Sequence, residues 1–91
     1  MSVTSILIAE DDMIIAMDLE QMLKSWKYSV KIVSSGEEVV KESFENKPDL
    51  ILMDIILKGM NGIEAAKKIK KLSIPIIYIS GSIHDNLLKT I

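Results

Sequence analysis

Acidic residues close two of the chain's apolar runs. Asp54 follows Asp49-Leu50-Ile51-Leu52-Met53, and Glu10-Asp11-Asp12 follows Ile6-Leu7-Ile8-Ala9. Runs this short and this apolar read as parallel strands covered on both faces. A carboxylate at the end of such a strand is delivered to the carboxyl edge of a sheet, where α/β proteins place their chemistry. Asp is also a plain turn former, so one acidic strand end means little. The matching pair carries the weight. Clustered carboxylates repel, so either one takes up a proton or a cation neutralises them. Hard oxygen ligands select Mg2+ or a similar divalent ion, which retains waters and adds phosphate oxygens. Such an ion beside a carboxylate can bring a phosphoryl group into line with a nucleophilic Asp, and the product is an acyl phosphate. The competing reading is a group of solvated acids at a sheet end, without defined geometry.

Those side chains need a scaffold, and the chain spells one out. Ser5 to Ala9 is the first strand. Ile15, Leu19, Met22, Leu23 and Trp26 then recur as one face of a helix. Tyr28 to Val33 alternates as a second strand with one less buried face, toward an edge. Ser35 and Glu38 form a capping box, and Val39, Val40 and Phe44 give the second helix its inner face. Pro48 stops that helix before the central strand, Leu50 to Met53. Ile55 to Asn61 is a loop, and Asn61 caps a third helix with Ile63, Ala66 and Ile69 inward. Ile76 to Ile79 is a fourth strand ending at Ser80-Gly81-Ser82, and Asp85 to Ile91 starts another helix. Four alternations of strand and helix predict an α/β fold, a doubly wound parallel sheet in the order 2-1-3-4. Strands one and three are then neighbours, and Glu10, Asp11 and Asp54 meet at the switch point, with Ser80 on the next strand over.

Composition narrows the function. At 91 residues, 48% hydrophobic and 26% charged, the chain reads as one small globular domain. A net charge of −2 argues against binding a polyanion, and Lys67, Lys68, Lys70 and Lys71 read as the solvated face of a helix. No nucleic-acid partner is expected through this domain. With no cysteine, disulfides, thiolate metal sites and thiol catalysis are excluded. The single His84 has no metal-ligand company. No stretch is long enough to cross a bilayer, so a cytoplasmic domain without a membrane partner is the expectation.

The chain resembles the response-regulator receiver domains of two-component signalling. The residues that carry the resemblance are Ile6-Leu7-Ile8-Ala9-Glu10-Asp11-Asp12, Pro48-Asp49-Leu50-Ile51-Leu52-Met53-Asp54, Met60-Asn61-Gly62, and Ile74-Pro75-Ile76 to Ser80. The resemblance implies a flavodoxin-like fold and a phosphoryl group taken onto Asp54 from a histidine kinase or phosphotransfer protein. It implies Mg2+ held by Glu10, Asp11, Asp54 and the backbone carbonyl of Ile56, with Glu10 acting through water. It makes Ser80 the hydroxyl that turns toward the phosphoryl group, and Asp12 a neighbour that is not a ligand. Phosphorylation from a phosphodonor and slow dephosphorylation at Asp54 would be its only reactions, and a hybrid sensor kinase is one setting for such a domain.

Departures from the family pattern carry their own expectations. Lys27 stands where the family commonly turns out of the first helix with Gly, a change worth ~1 kcal/mol if the residue is left-handed. Lys58 replaces a frequent Pro. The family's fifth strand, its Lys and its fifth helix have no counterpart in residues 1–91, so the receiver is expected to be incomplete at its C-terminus. An uncovered fourth strand would then support self-association as a two-fold dimer. Three other readings compete. A haloacid-dehalogenase-type phosphatase needs a second Asp two residues after the nucleophile, where this chain has Ile56. A flavin binder needs a phosphate loop after strand one, where Glu10-Asp11-Asp12 would repel the ligand. A degenerate receiver acting as a non-enzymatic interaction module is favoured by the missing Lys and opposed by the intact acids.

Overall fold

A computed structural model describes residues 3–79. Strands β1 (Ser5–Ala9), β2 (Ser29–Val33), β3 (Leu50–Asp54) and β4 (Ile76–Ile79) alternate with helices α1 (Met13–Ser25), α2 (Gly36–Glu45) and α3 (Gly62–Lys68). A short 3₁₀ turn over Lys70–Leu72 follows α3. All pairings are parallel, in the order β2-β1-β3-β4. The doubly wound sheet expected from the alternation is present. The expected start of a fourth helix, Asp85 to Ile91, lies outside the described residues.

Alternation along β1 divides the core in two. Leu7 and Ala9 face a cluster with Ile51 and Met53 of β3, Val39 of α2 and Ala65 of α3. Ile6 and Ile8 face the other way, onto Ala16 and Leu23 of α1. Successive residues of a strand point to opposite faces, so a strand apolar at every position must be covered twice. Register is set at the start of the strands. The backbone N–H of Ser5 donates to Asp49 Oδ2 at 2.7 Å, its hydroxyl donates to the same oxygen at 3.2 Å, and the Asp49 N–H returns to the Ser5 carbonyl at 2.9 Å. Ile6 then lies beside Leu50, and Ala9 beside Met53.

Helix boundaries follow local chemistry. Ser35 Oγ accepts the Glu38 N–H at 3.2 Å, and Asn61 Oδ1 accepts the Glu64 N–H at 2.9 Å, so both expected caps form. The α1 terminus is a Schellman turn: Lys27 N–H donates to the Lys24 carbonyl and Tyr28 N–H to the Leu23 carbonyl. Lys27 is left-handed there (φ 72), the conformation in which a side chain costs ~1 kcal/mol relative to Gly.

Three inner faces differ from the expected stripes. In α1 the buried line is Ala16 and Leu23 with Leu19 beside it, whereas Met22 and Trp26 are exposed. At 100° per residue Met22 sits roughly a quarter-turn off that line, and Trp26 is already the C-cap. In α2 the buried residues are Gly36, Val39 and Ser43, each about one turn from the next, and Phe44 is displaced outward. Its ring lies under the Lys71 ammonium, 5.2 Å from the centroid, so it is partnered at the surface rather than in the core. In α3 the line through Gly62, Ala65 and Ile69 is inward, Ala66 is half-buried and Ile63 is exposed. Each helix turns its smallest residues toward the sheet. Close approach of helix to strand selects Ala, Gly and Ser over Phe and Trp.

Candidate functional site

The site is assembled at the carboxyl ends of β1 and β3. Because these strands are neighbours in register, the residues just past Ala9 and Met53 emerge side by side. Glu10 follows β1 directly, pinned by its N–H donating to the Val33 carbonyl of β2 at 3.0 Å. Asp54 is the last residue of β3, one position later than the expected strand end. Glu10, Asp11 and Asp54 each offer a carboxylate oxygen, and these oxygens all lie within 4.8 Å of one another. Glu10 is 1% exposed and Asp54 5%, and Asp11 is half-buried. Solvated acids without geometry are not this arrangement.

Hydrogen bonds assign each acid a different duty. Glu10 Oε1 accepts the Asp12 N–H at 3.0 Å, while Glu10 Oε2 is buried with no hydrogen-bond partner. Asp12 turns away and caps α1, its Oδ1 accepting the N–H groups of Ile14 (3.0 Å) and Ile15 (3.3 Å). Asp54 Oδ1 accepts the Ile56 N–H at 3.1 Å. That bond fixes the carboxylate plane and brings the Ile56 backbone to the site. Gly62 closes the far side of the loop, its N–H donating to the Ile55 carbonyl at 2.8 Å.

Burial pushes the Glu10 carboxyl up to about 7, with the neighbouring Asp54 and Asp11 adding to it against the pull of the Asp12 N–H. An unpartnered buried oxygen on a crowded acid fits a cation: a divalent ion would satisfy Oε2 and remove the repulsion together. The folded Glu10 thus holds its proton between 4.5 and about 7, where the unfolded chain has released it. Without a divalent ion, stability should fall as pH rises through that window, by about 3 kcal/mol at most. Glu10→Gln should remove this loss, matching wild type near pH 4.5 and exceeding it at pH 8. Denaturant melts of both proteins across the window measure it, and parallel curves would contradict it.

Sequence reasoning brought Glu10, Asp11 and Asp54 together correctly in space. Ser80 lies outside the described residues. Two contributors were missed. Asp49 sets the β1–β3 register, and Glu37 of α2 reaches the loop after Asp54, its Oε1 accepting the Met60 N–H at 2.9 Å. The only signal for Asp49 was its place at the head of the central strand, and Glu37 left none.

A family profile described as the response regulator receiver domain matches residues 6–91. The chain belongs to that family. Among curated response regulators, this receiver is 36% identical over 86 residues to the transcriptional regulatory protein PdtaR of Mycobacterium tuberculosis, covering 92% of this chain and 42% of that protein. It is 36% identical over 77 residues to the alkaline phosphatase synthesis regulator PhoP of Bacillus subtilis, covering 82% of this chain and 32% of that one. The receiver thus spans less than half the length of these relatives. A solved structure of a response regulator from Chloroflexus aurantiacus superposes with a TM-score of 0.80 at 30% identity, over 85% of this chain and 66% of that one. The receiver domain of a sensor histidine kinase from Pseudomonas aeruginosa gives 0.80 at 31% identity, with the same 85% and 66% coverage. That protein has a magnesium ion coordinated in its active-site cleft.

Proposed function

We propose that this receiver is the phosphoacceptor of a two-component relay, taking a phosphoryl group from a histidine kinase or phosphotransfer protein onto Asp54. The convergence of Glu10, Asp11 and Asp54, with a buried carboxylate oxygen left unpartnered, carries the reading. In the step, the N–P bond of a phosphohistidine breaks as an Asp54 carboxylate oxygen forms an O–P bond, leaving free imidazole and an acyl phosphate. Asp54 is oriented for this by the Ile56 N–H on Oδ1, and β3 holds it at the carboxyl end of the sheet. Glu10, Asp11, Asp54 and the Ile56 carbonyl are the proposed Mg2+ holders, and a bound Mg2+ would offset the charge of the phosphoryl oxygens. Ser80 is the proposed switch hydroxyl. A kinase partner of this kind makes the cytoplasm the proposed compartment. Incubation with a small phosphodonor and Mg2+, followed by intact mass, tests the reading; a chain that gains no phosphoryl mass overturns it.

Metal binding should rank the acids. Asp11→Ala removes a proposed direct ligand and should weaken Mg2+ by at least the roughly 10- to 100-fold typical of an outer-sphere partner. Asp12→Ala should leave affinity near wild type while costing about 1 kcal/mol of stability, because that side chain is engaged in capping α1. A reversed ranking in a metal titration would show that the acidic triplet is misassigned by one residue.

Among the described residues β4 is an edge of the sheet, and Ile77 and Tyr78 are exposed on it. This supports self-association of the 91-residue chain through β4, as a two-fold dimer. Sedimentation at micromolar concentration should show the dimer. A monomer with protected β4 amides would refute it.

A further inference from the structure

The loop that follows Asp54 is tied to a helix that contributes nothing to the acidic cluster. Glu37 stands in the first turn of α2, and its Oε1 accepts the Met60 N–H at 2.9 Å. Ser35 and Lys58 form an isolated parallel bridge, and the Gly36 N–H donates to the Lys58 carbonyl at 3.4 Å. Gly59 lies between these contacts at φ 67, where a Cβ would come within 2.6 Å of Glu37 Oε1. The middle of the loop is therefore folded directly onto the start of α2. Its near end carries Ile56, whose N–H holds Asp54 Oδ1, and Ile55 and Ile56 are both exposed. Of the loop's apolar side chains after Asp54 only Leu57 is fully buried, so polar contacts fix much of the loop's position.

We propose that Glu37 is a positioning residue, gripping the Met60 amide so that the loop keeps the Ile56 backbone seated against Asp54 and the acidic cluster. A carboxylate accepting a backbone N–H is a charge-assisted bond, stronger than a neutral one. Glu37 is open to water, which limits its strength, so the effect is graded rather than absolute. Small displacements of a ligand-bearing loop have large consequences, because coordination and in-line transfer tolerate little misplacement. The consequence for metal and phosphoryl transfer rests on the phosphoacceptor reading; the grip itself does not.

Three variants of the 91-residue chain separate the grip from helix stability. Glu37→Ala deletes the acceptor, and Glu37→Gln keeps an amide oxygen in its place. Glu38→Ala removes bonds from Ser34 and Ser35 in the same helical turn but touches no loop residue. In Glu37→Ala, amide hydrogen exchange at Ile56 and Met60 should accelerate and the Mg2+ dissociation constant should rise roughly three- to tenfold, less than the roughly 10- to 100-fold lost with an outer-sphere partner because Glu37 acts one step further out. Glu37→Gln should return affinity to within about twofold of wild type, since one neutral hydrogen bond replaces a charged one. Glu38→Ala should melt earlier yet keep wild-type Mg2+ affinity and Ile56 exchange. The proposal is overturned if Glu37→Ala leaves Ile56 exchange unchanged, or if Glu38→Ala weakens Mg2+ as much. A wild-type chain that takes up neither Mg2+ nor phosphoryl group would sink the phosphoacceptor reading, and Ile56 exchange would still decide the grip.

Discussion

Asp54→Asn should abolish phosphoryl uptake, with the intact mass after phosphodonor and Mg2+ treatment unchanged while wild type gains one phosphoryl group. The amide is close to isosteric but has no anionic oxygen to form the O–P bond, so the effect is on nucleophilicity rather than shape. The adduct on wild type should be lost in mild base, as an acyl phosphate is and a phosphoserine is not. Loss of folding would not account for the result. Asp54 is one of the charges that push the Glu10 carboxyl up, so its neutralisation relieves repulsion inside a buried cluster. The variant should therefore be at least as stable as wild type at pH 8 without metal. An equal mass gain in both proteins would rule out Asp54 as acceptor and direct attention to Asp11, the least buried of the three acids.

Gly62→Ala should cost about 2–3 kcal/mol and lower the melting temperature by roughly 10–20 °C. A Cβ at Gly62 would stand 2.4 Å from the Asp54 carbonyl oxygen and 3.1 Å from the Ile55 Cα, and backbone atoms yield only at a cost. The clash falls between the start of α3 and the end of β3. Relief must open that contact or shift Asp54, and either strains the bond from the Gly62 N–H to the Ile55 carbonyl. Mg2+ affinity should fall along with stability. Gly59→Ala is the informative comparison. Its left-handed φ costs about 1 kcal/mol with any side chain, but the nearest atoms belong to the flexible end of Glu37. Equal melting temperatures for the two variants would show that the Gly62 approach is looser than the geometry indicates.

What the chain determined by itself is what depends on neighbours in sequence. Short apolar runs ending in Glu10 and Asp54 announce strand ends, and alternation with helices places both at one edge of one sheet. Ser35 and Asn61 cap their helices, and Lys27 turns left-handed, because each rests on hydrogen bonds within one or two turns. Tertiary structure decided the rest. Trp26, Phe44 and Ile63 are apolar and expected on the inner faces of their helices, yet all three are exposed. The packing of each helix against the sheet chose which stripe is buried, and close packing favoured Ala16, Ser43 and Ala65 at the contacts. The unpartnered oxygen of Glu10 and the rise of its carboxyl depend on burial, which no local pattern records. Asp49 with Ser5 and Glu37 with Met60 join residues 44 and 23 positions apart, and such pairs exist only once the sheet has brought them together.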